Sequence, residues 1–335
     1  MSSRHLLALA LLAGSTALAA PAFAADLVMY DALDFAGTVA KAFTAKTGIT
    51  VDVVEPGSTG ETLGKIAAEG SNPQFDIVWL DGSAVLERML QDKVLQPVPQ
   101  PAFDGATFTA LGKTLIPADH AFLPTGASTT AIEVNTRKVP ADKMPKSWAD
   151  LKAFAGRVAA KDPNLSGPSY QWLAGFFQTA GGAEAGKQLL AEILTDKKLA
   201  GFASGGKVNK EVLTGKADVG INQDSAIIAK QAAGEPVVAV YPTEGSVALP
   251  EGLGVAANSR HMDNVMKFIA FVTSPEGQAA MQAGDDTDYY FLPVIQGVAP
   301  KKGRPADINF IVLDDKVAAA HETEWKRWYR DTFVQ

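Results

Sequence analysis

Between residues 27 and 91 short apolar strands alternate with amphipathic helical runs, and that alternation leaves few folds open. Leu27-Val28-Met29-Tyr30 reads as a strand. Asp34 to Thr47 reads as a helix with Phe35, Val39, Ala42 and Phe43 on one face, closed by Gly48. Residues 50–54 read as a strand, 61–69 as a helix, 75–79 as a strand and 83–91 as a helix. Strand–helix repetition of this kind predicts an α/β sheet covered by helices on both faces. Ligands of such sheets sit beyond the carboxyl ends of the strands. Those ends carry Tyr30-Asp31, Gly57 to Glu61, and Leu80-Asp81-Gly82-Ser83.

A second α/β set follows. It comprises a strand over 156–160, helices over 169–179, 183–194 and 207–214, a strand over 217–221 and a helix over 224–233. Strands at 237–241 and 253–256 come next, and helices over 262–273 and 275–283 return to the style of the first set. Late elements that belong with early ones imply a chain that passes twice between two lobes, near Thr125–Thr130 and Thr243–Pro250. Crossings of this kind make a hinge, and a cleft between lobes is a favoured place for a small ligand. The domain expectation is 25–126 with 250–335 as one lobe and 127–249 as the other. The amphipathic run Glu322 to Arg330 is expected to pack its aromatics on its own lobe.

Residues 1–24 carry a weakly basic start, an apolar stretch from Leu6 to Leu12 and Ala22-Phe23-Ala24, the pattern of a cleavable secretory leader. The chain has no cysteine, which excludes disulfides and a lipid-modified start. An exported, periplasmic protein is expected. The net charge is −7 with no basic stripe, so nucleic acid is not an expected partner.

Two turns have one design. Pro163 to Tyr170 brings Ser166, Gly167 and Ser169 to the start of a helix, and Gly57-Ser58-Thr59-Gly60-Glu61 opens another. Unpaired N–H groups and the positive end of the helix dipole favour an anion there. Each turn also reads as a plain N-cap. The acids Asp34, Asp81 and Asp224 fall at strand ends or loops, where they are either caps or partners for a cation. Tyr30, Trp79 and Tyr170 are candidates to pack a short carbon stem.

The helix end Phe43 to Ile49, the strand Phe75 to Trp79, Val134-Asn135-Thr136, Pro145 to Leu151, Gly215 to Gly220 and Thr273 to Gln278 together resemble periplasmic solute-binding proteins of bacterial ABC importers. The chain looks like the subgroup of ferric-ion, phosphonate, phosphosugar and thiamine receptors. The resemblance implies a two-lobed, type II-like periplasmic-binding-protein fold, in which two crossover segments form a hinge above a ligand cleft. It implies a monomer that hands a small solute to an inner-membrane ABC permease, with no cofactor. Ferric-ion members use a His, a Glu and a Tyr-Tyr pair; by local pattern these positions fall on Asp34, Asp81 and Asp224-Ser225. The phenolates a hard Fe³⁺ site of that kind needs are missing, and Tyr289-Tyr290 reads as packing or cleft wall. The expected ligand is an anionic or zwitterionic solute, best a phosphonate such as 2-aminoethylphosphonate or an organophosphate. Ferric ion, polyamine and thiamine are the alternatives. The expected ligand residues are Tyr30, Asp34, Ser58, Thr59, Asp81, Ser83, Ser166, Ser169, Tyr170, Ser204 and Asp224.

Two rival chemistries find little support. Gly201 to Lys207 approaches a nucleotide-binding loop, but Val208 stands where a Mg²⁺-binding hydroxyl belongs. A secreted hydrolase would need a nucleophile elbow or paired histidines, and neither motif occurs.

Overall fold

The computed structural model describes residues 25–195, 198–202 and 204–334; the expected leader lies outside the described residues. The first α/β set is β1 (Leu27–Asp31), α1 (Ala36–Thr47), β2 (Val51–Val54), α2 (Thr59–Glu69), β3 (Ile77–Asp81) and α3 (Ser83–Gln91). A short β4 (Leu95–Gln96) and α4 (Ala110–Leu115) lead into the long β5 (Leu123–Asn135). The second set is α5 (Trp148–Ala153), β6 (Val158–Lys161), α6 (Gly167–Thr179), α7 (Ala183–Leu194), β7 (Lys198–Phe202), α8 (Gly205–Leu213), β8 (Val219–Gln223), α9 (Asp224–Ala232) and β9 (Val237–Val240). The chain returns through β10 (Ser246–Ala256) to α10 (Met262–Val272), α11 (Pro275–Met281), β11 (Leu292–Pro293), β12 (Phe310–Ile311) and α12 (Asp315–Tyr329).

The strands run β2-β1-β3-β10-β5-β8-β6-β7 in one curled array. β1, β2 and β3 are parallel, while β10 is antiparallel to both β3 and β5. The two long strands pair with each other from Ala248↔Thr129 to Leu253↔Leu123. β5 then continues into the second half, against β8 and β9.

Period-two alternation decides which side each strand residue covers. Leu27 and Met29 of β1, with Ile77 and Trp79 of β3, enter a core with Phe35, Phe43, Phe268 and Phe291. Tyr30, Val78 and Leu80 enter the opposite core with Ile66, Leu86 and Phe122. Trp79 Nε1 donates to Thr125 Oγ1 at 3.0 Å, so this indole is a core residue and not a cleft wall.

The chain crosses a third time after β11. Residues 297–309 run from the first core to β12, which pairs with β10 at Ser246 and Val247. α12 then packs on both α3 and α6, burying Trp325, Tyr329 and Phe333 in the core of the second half with Trp172, Phe176 and Phe177. Residues 315–334, expected with the first lobe, thus touch both halves. The aromatic side chains face inward as their amphipathic spacing required, into the core that holds α6. Among the described residues, no helix is long and apolar enough to cross a membrane.

Trp325 sits 5.2 Å from the Phe177 ring and stacks on His321 at 5.0 Å. Trp325→Ala is expected to lower stability by about 3–5 kcal/mol, the range for a buried aromatic. Urea unfolding followed by circular dichroism checks this. A loss below about 0.5 kcal/mol, the ordinary surface range, would contradict the burial of α12.

Candidate functional site

Three helix starts converge where the two halves meet. Thr59 at the head of α2, Gly167 at the head of α6 and Gly205 at the head of α8 line one cavity of about 200 Å³. Its walls also include Asp34, Ser58, Asp81, Lys161, Ser166, Ser204, Gln223, Thr287 and Asp288. The first N–H groups of a helix have no intrahelical acceptor, so the cavity gathers three positive dipole ends. A wider depression of about 580 Å³ continues outward past Ser58 and Ser204 to Lys207. The heads of α2 and α6 touch: a Cβ at Gly167 would lie 2.8 Å from the Thr59 methyl, so glycine is what lets them close.

Lys161 is the one cation in the cavity wall among the described residues and was not among the expected site residues. It ends β6 and is only 4% exposed. Its ammonium makes no ion pair or hydrogen bond among the described residues, although Asp81, Asp288 and Glu133 are near enough to act on it. Burial pulls its pKa down to about 8, and those acids oppose the fall. In sequence it was a single lysine after an apolar strand, with nothing to mark its burial.

Opposite stand the acids. Asp81, at the end of β3, accepts from Gln223 Nε2 at 3.2 Å through Oδ2, while its buried Oδ1 has no partner. Burial raises its pKa to about 7, with Gln223 and Lys161 pulling the other way. Asp288, another residue not expected from the sequence, accepts from the Asp34 N–H at 2.9 Å. Burial first, and the Asp81 and Asp34 charges next, hold its pKa well above the usual carboxylate range.

The structure brings together six of the expected residues: Asp34, Ser58, Thr59, Asp81, Ser166 and Ser204. Their roles differ. Ser58 forms a capping box, its hydroxyl 2.9 Å from Glu61 Oε2 and 3.3 Å from Glu61 N. Ser166 accepts weakly from Ser169 N at 3.4 Å, and Ser204 makes no side-chain cap bond.

Five expected residues lie elsewhere. Tyr30 donates to Glu69 Oε1 at 2.6 Å and packs on Phe75 under Lys65. Ser83 donates to Asp315. Ser169 donates to the Lys161 carbonyl at 3.1 Å, tying the end of β6 to the head of α6. Tyr170 donates to the Ala318 carbonyl beneath α12. Asp224 is fully buried and already satisfied: it pairs with Arg304, accepts from Thr129 N at 3.0 Å and from Tyr241 Oη at 3.2 Å. Arg304 comes from the third crossing, 80 residues away in sequence, so local pattern gave no sign of it.

Tyr289 and Tyr290, read as packing or cleft wall, are packed against the protein interior. The Tyr289 hydroxyl bonds Thr38 Oγ1 and the Asp34 carbonyl, and Tyr290 packs on Ile228 and Ala229 with Lys301 over its ring at 4.5 Å. Among the described residues, no tyrosine lines the cavity. Among the described residues no group of three or more His, Cys, Asp and Glu side chains is placed to hold a metal ion.

Chains of known kind share this architecture. The chain is 27% identical to the spermidine/putrescine-binding periplasmic protein of Escherichia coli, over 97% of this chain and 93% of that one. It is 25% identical to the Fe(3+)-binding periplasmic protein of Serratia marcescens, over 84% of each. The fructose-6-phosphate-bound periplasmic binding protein AfuA of Actinobacillus pleuropneumoniae superposes with a TM-score of 0.77 at 20% identity, over 92% of this chain and 98% of that one. The two-lobed fold read from the alternating elements is therefore the fold of solved periplasmic binding proteins. The model of the bacterial extracellular solute-binding proteins matches residues 38–311, and the chain belongs to that family.

Proposed function

We propose that this chain is the periplasmic receptor of an ABC importer and that it closes on a small zwitterion with an oxyanion at one end and an ammonium at the other. An aminophosphonate such as 2-aminoethylphosphonate fits best. The observation that carries this reading is Lys161: a buried ammonium without an ion-pair partner, facing three helix starts in one small cavity. A buried charge is stable when paired, and an oxyanion supplies the pair. Thr59, Ser166 and Ser204 then offer hydroxyls, and the heads of α2, α6 and α8 offer N–H groups. Asp81, Asp288 and Asp34 would take the ammonium; Asp81 Oδ1 has a free acceptor for it. The ligand is held by side chains and backbone alone, and after reopening it passes to an inner-membrane permease. The protein acts as a monomer and as a carrier, in keeping with a family of binding proteins.

The excess of acids over cations in the cavity favours a diamine as the second reading, and the polyamine-binding relative supports it. Calorimetry with 2-aminoethylphosphonate, fructose 6-phosphate, putrescine, thiamine and ferric citrate separates the two. Heat from the aminophosphonate is expected. Heat from putrescine with none from either phosphorus compound would replace the first reading by the second.

Charge-assisted hydrogen bonds contribute about 1.5–3 kcal/mol each. Lys161→Met should therefore weaken aminophosphonate binding by about ten- to a hundredfold, while putrescine binding should stay or strengthen. The pH dependence has a definite sign. Lys161 loses its proton as pH rises through about 8, so anion affinity should hold below that value and fall above it. Titrations at pH 7 and pH 9.5 check this, and Lys161→Met should flatten the difference.

The acids should set discrimination. Asp81→Asn is expected to lose most of the preference for 2-aminoethylphosphonate over ethylphosphonate, which lacks the amine. Equal discrimination in variant and parent, measured as the ratio of dissociation constants, would remove Asp81 from the ammonium site.

A further inference from the structure

A second set of buried polar contacts joins the two halves away from the ligand cavity. Ser83 opens α3, directly after β3 and Gly82, whose φ of 104° gives the chain its sharp turn. The Ser83 hydroxyl donates to Asp315 Oδ1 at the head of α12. Gln171 of α6 donates through Nε2 to Ser83 Oγ at 2.8 Å and to the Ala248 carbonyl of β10 at 3.1 Å. Its Oε1 lies 3.5 Å from Ala84 N. Ala84 itself is buried in the core of the second half. One serine of the first half is thus gripped by two helices of the second, with Gln171 anchored to a hinge strand. None of the three side chains lines the ligand cavity.

We propose that Ser83, Asp315 and Gln171 form a latch that sets the balance between open and closed lobes, whatever the ligand. Ser83 moves with α3, while Gln171 and Asp315 move with the core that holds α6 and α12. In this latch α12 follows α6, with which it shares a core, so that opening the cleft parts α3 from α12 and exposes these groups. The closed form therefore carries contacts of its own, and the ligand adds to a closure the chain already favours. The surroundings of Asp315 suit a switchable contact. Burial, together with the nearby Glu87, Asp314 and Asp119, raises its carboxyl to about 7, partly offset by Ser83. Lys316 beside it pairs with Asp119 and not with Asp315. A neutral acceptor should serve the latch as well as the acid does.

The chain has no cysteine, so a spin-label pair at Lys41→Cys and Lys210→Cys, one exposed position on each lobe, reports the distance between lobes without background. Pulsed electron–electron distance measurement on ligand-free protein at pH 7 should show a short-distance population in the otherwise unaltered chain. Ser83→Ala and Asp315→Ala should each lower the ratio of closed to open forms by about three- to tenfold, the effect of one hydrogen bond. Asp315→Asn, which keeps an acceptor for Ser83, should restore it. A merely structural role would lower the unfolding temperature of all three variants and leave the distances alone. Should Asp315→Ala fail to fold, Ser83→Ala carries the same expectation with the loss of one hydroxyl. Alanine variants with parental distances, an Asn variant that opens like alanine, or a parent with no short-distance population would each overturn the latch.

Discussion

The pairing of β5 with β10 is the interaction on which the rest depends. Both strands are buried along their whole length, and their antiparallel ladder links the two sheets into one array. A ladder between two long strands resists stretching but tolerates bending and twisting. In the closure proposed above, the lobes rotate about this ladder. Polar groups collect beside it because the interior there is not purely apolar. Thr125 donates to the Glu251 carbonyl at 2.9 Å, Thr129 bonds the Val247 carbonyl, and Arg304 pairs with Asp224 next to the Ala127 carbonyl. The third crossing brings Arg304 to this place, so the C-terminal segment does more than end the chain: it neutralises an acid at the hinge.

Electrostatics then divides the seam into satisfied and unsatisfied parts. Asp224 has a guanidinium, an N–H and a phenol as partners and needs nothing more. Lys161, Asp81 and Asp288 share a small cavity with far fewer bonds, and burial moves each of them toward its neutral form. That contrast is the physical difference between a structural ion pair and a candidate binding site. Removing a partner from a buried pair is strongly unfavourable, whereas a group without a partner gains from one that arrives. Asp224, one of the three acids at metal-ligand positions by local pattern, is closed to ligands for this reason, while Asp81 keeps a buried Oδ1 without a partner among the described residues.

Much of the fold was legible because it is local. α7 lies over 183–194 and α3 over 83–91, as their apolar spacing and flanking residues predicted. β5 was missed as a strand because both of its faces are buried, so its mixture of Thr, Ser, Ala and Gly shows no alternation. The candidate site was legible where a hydroxyl-rich turn meets a helix start, at Ser58-Thr59 and Ser166, since capping chemistry is written in neighbouring residues. It was illegible where meaning comes from distant partners. Asp288, Lys161 and Arg304 acquire their roles only when three separate stretches meet, and Ser83 looked like a cleft residue until α12 covered it.

In the proposed receptor, binding and closure are coupled through the heads of the same helices. α6 presents Gly167 to Thr59 and to the ligand cavity, and four residues later Gln171 holds Ser83 and β10. A rigid helix cannot move one of these contacts without the other. A solute that draws the heads of α2 and α6 together therefore also brings Ser83 onto Gln171 and Asp315. Its apparent affinity includes the share of chains already closed, since a binding-competent fraction scales the dissociation constant directly. Substitutions that loosen α3 from α12 should weaken every ligand by one common factor, and substitutions at Lys161 or Asp81 should weaken ligands selectively. The uniform component belongs to the hinge and the selective component to the cavity. Comparing several ligands on one variant separates the two where a single dissociation constant cannot.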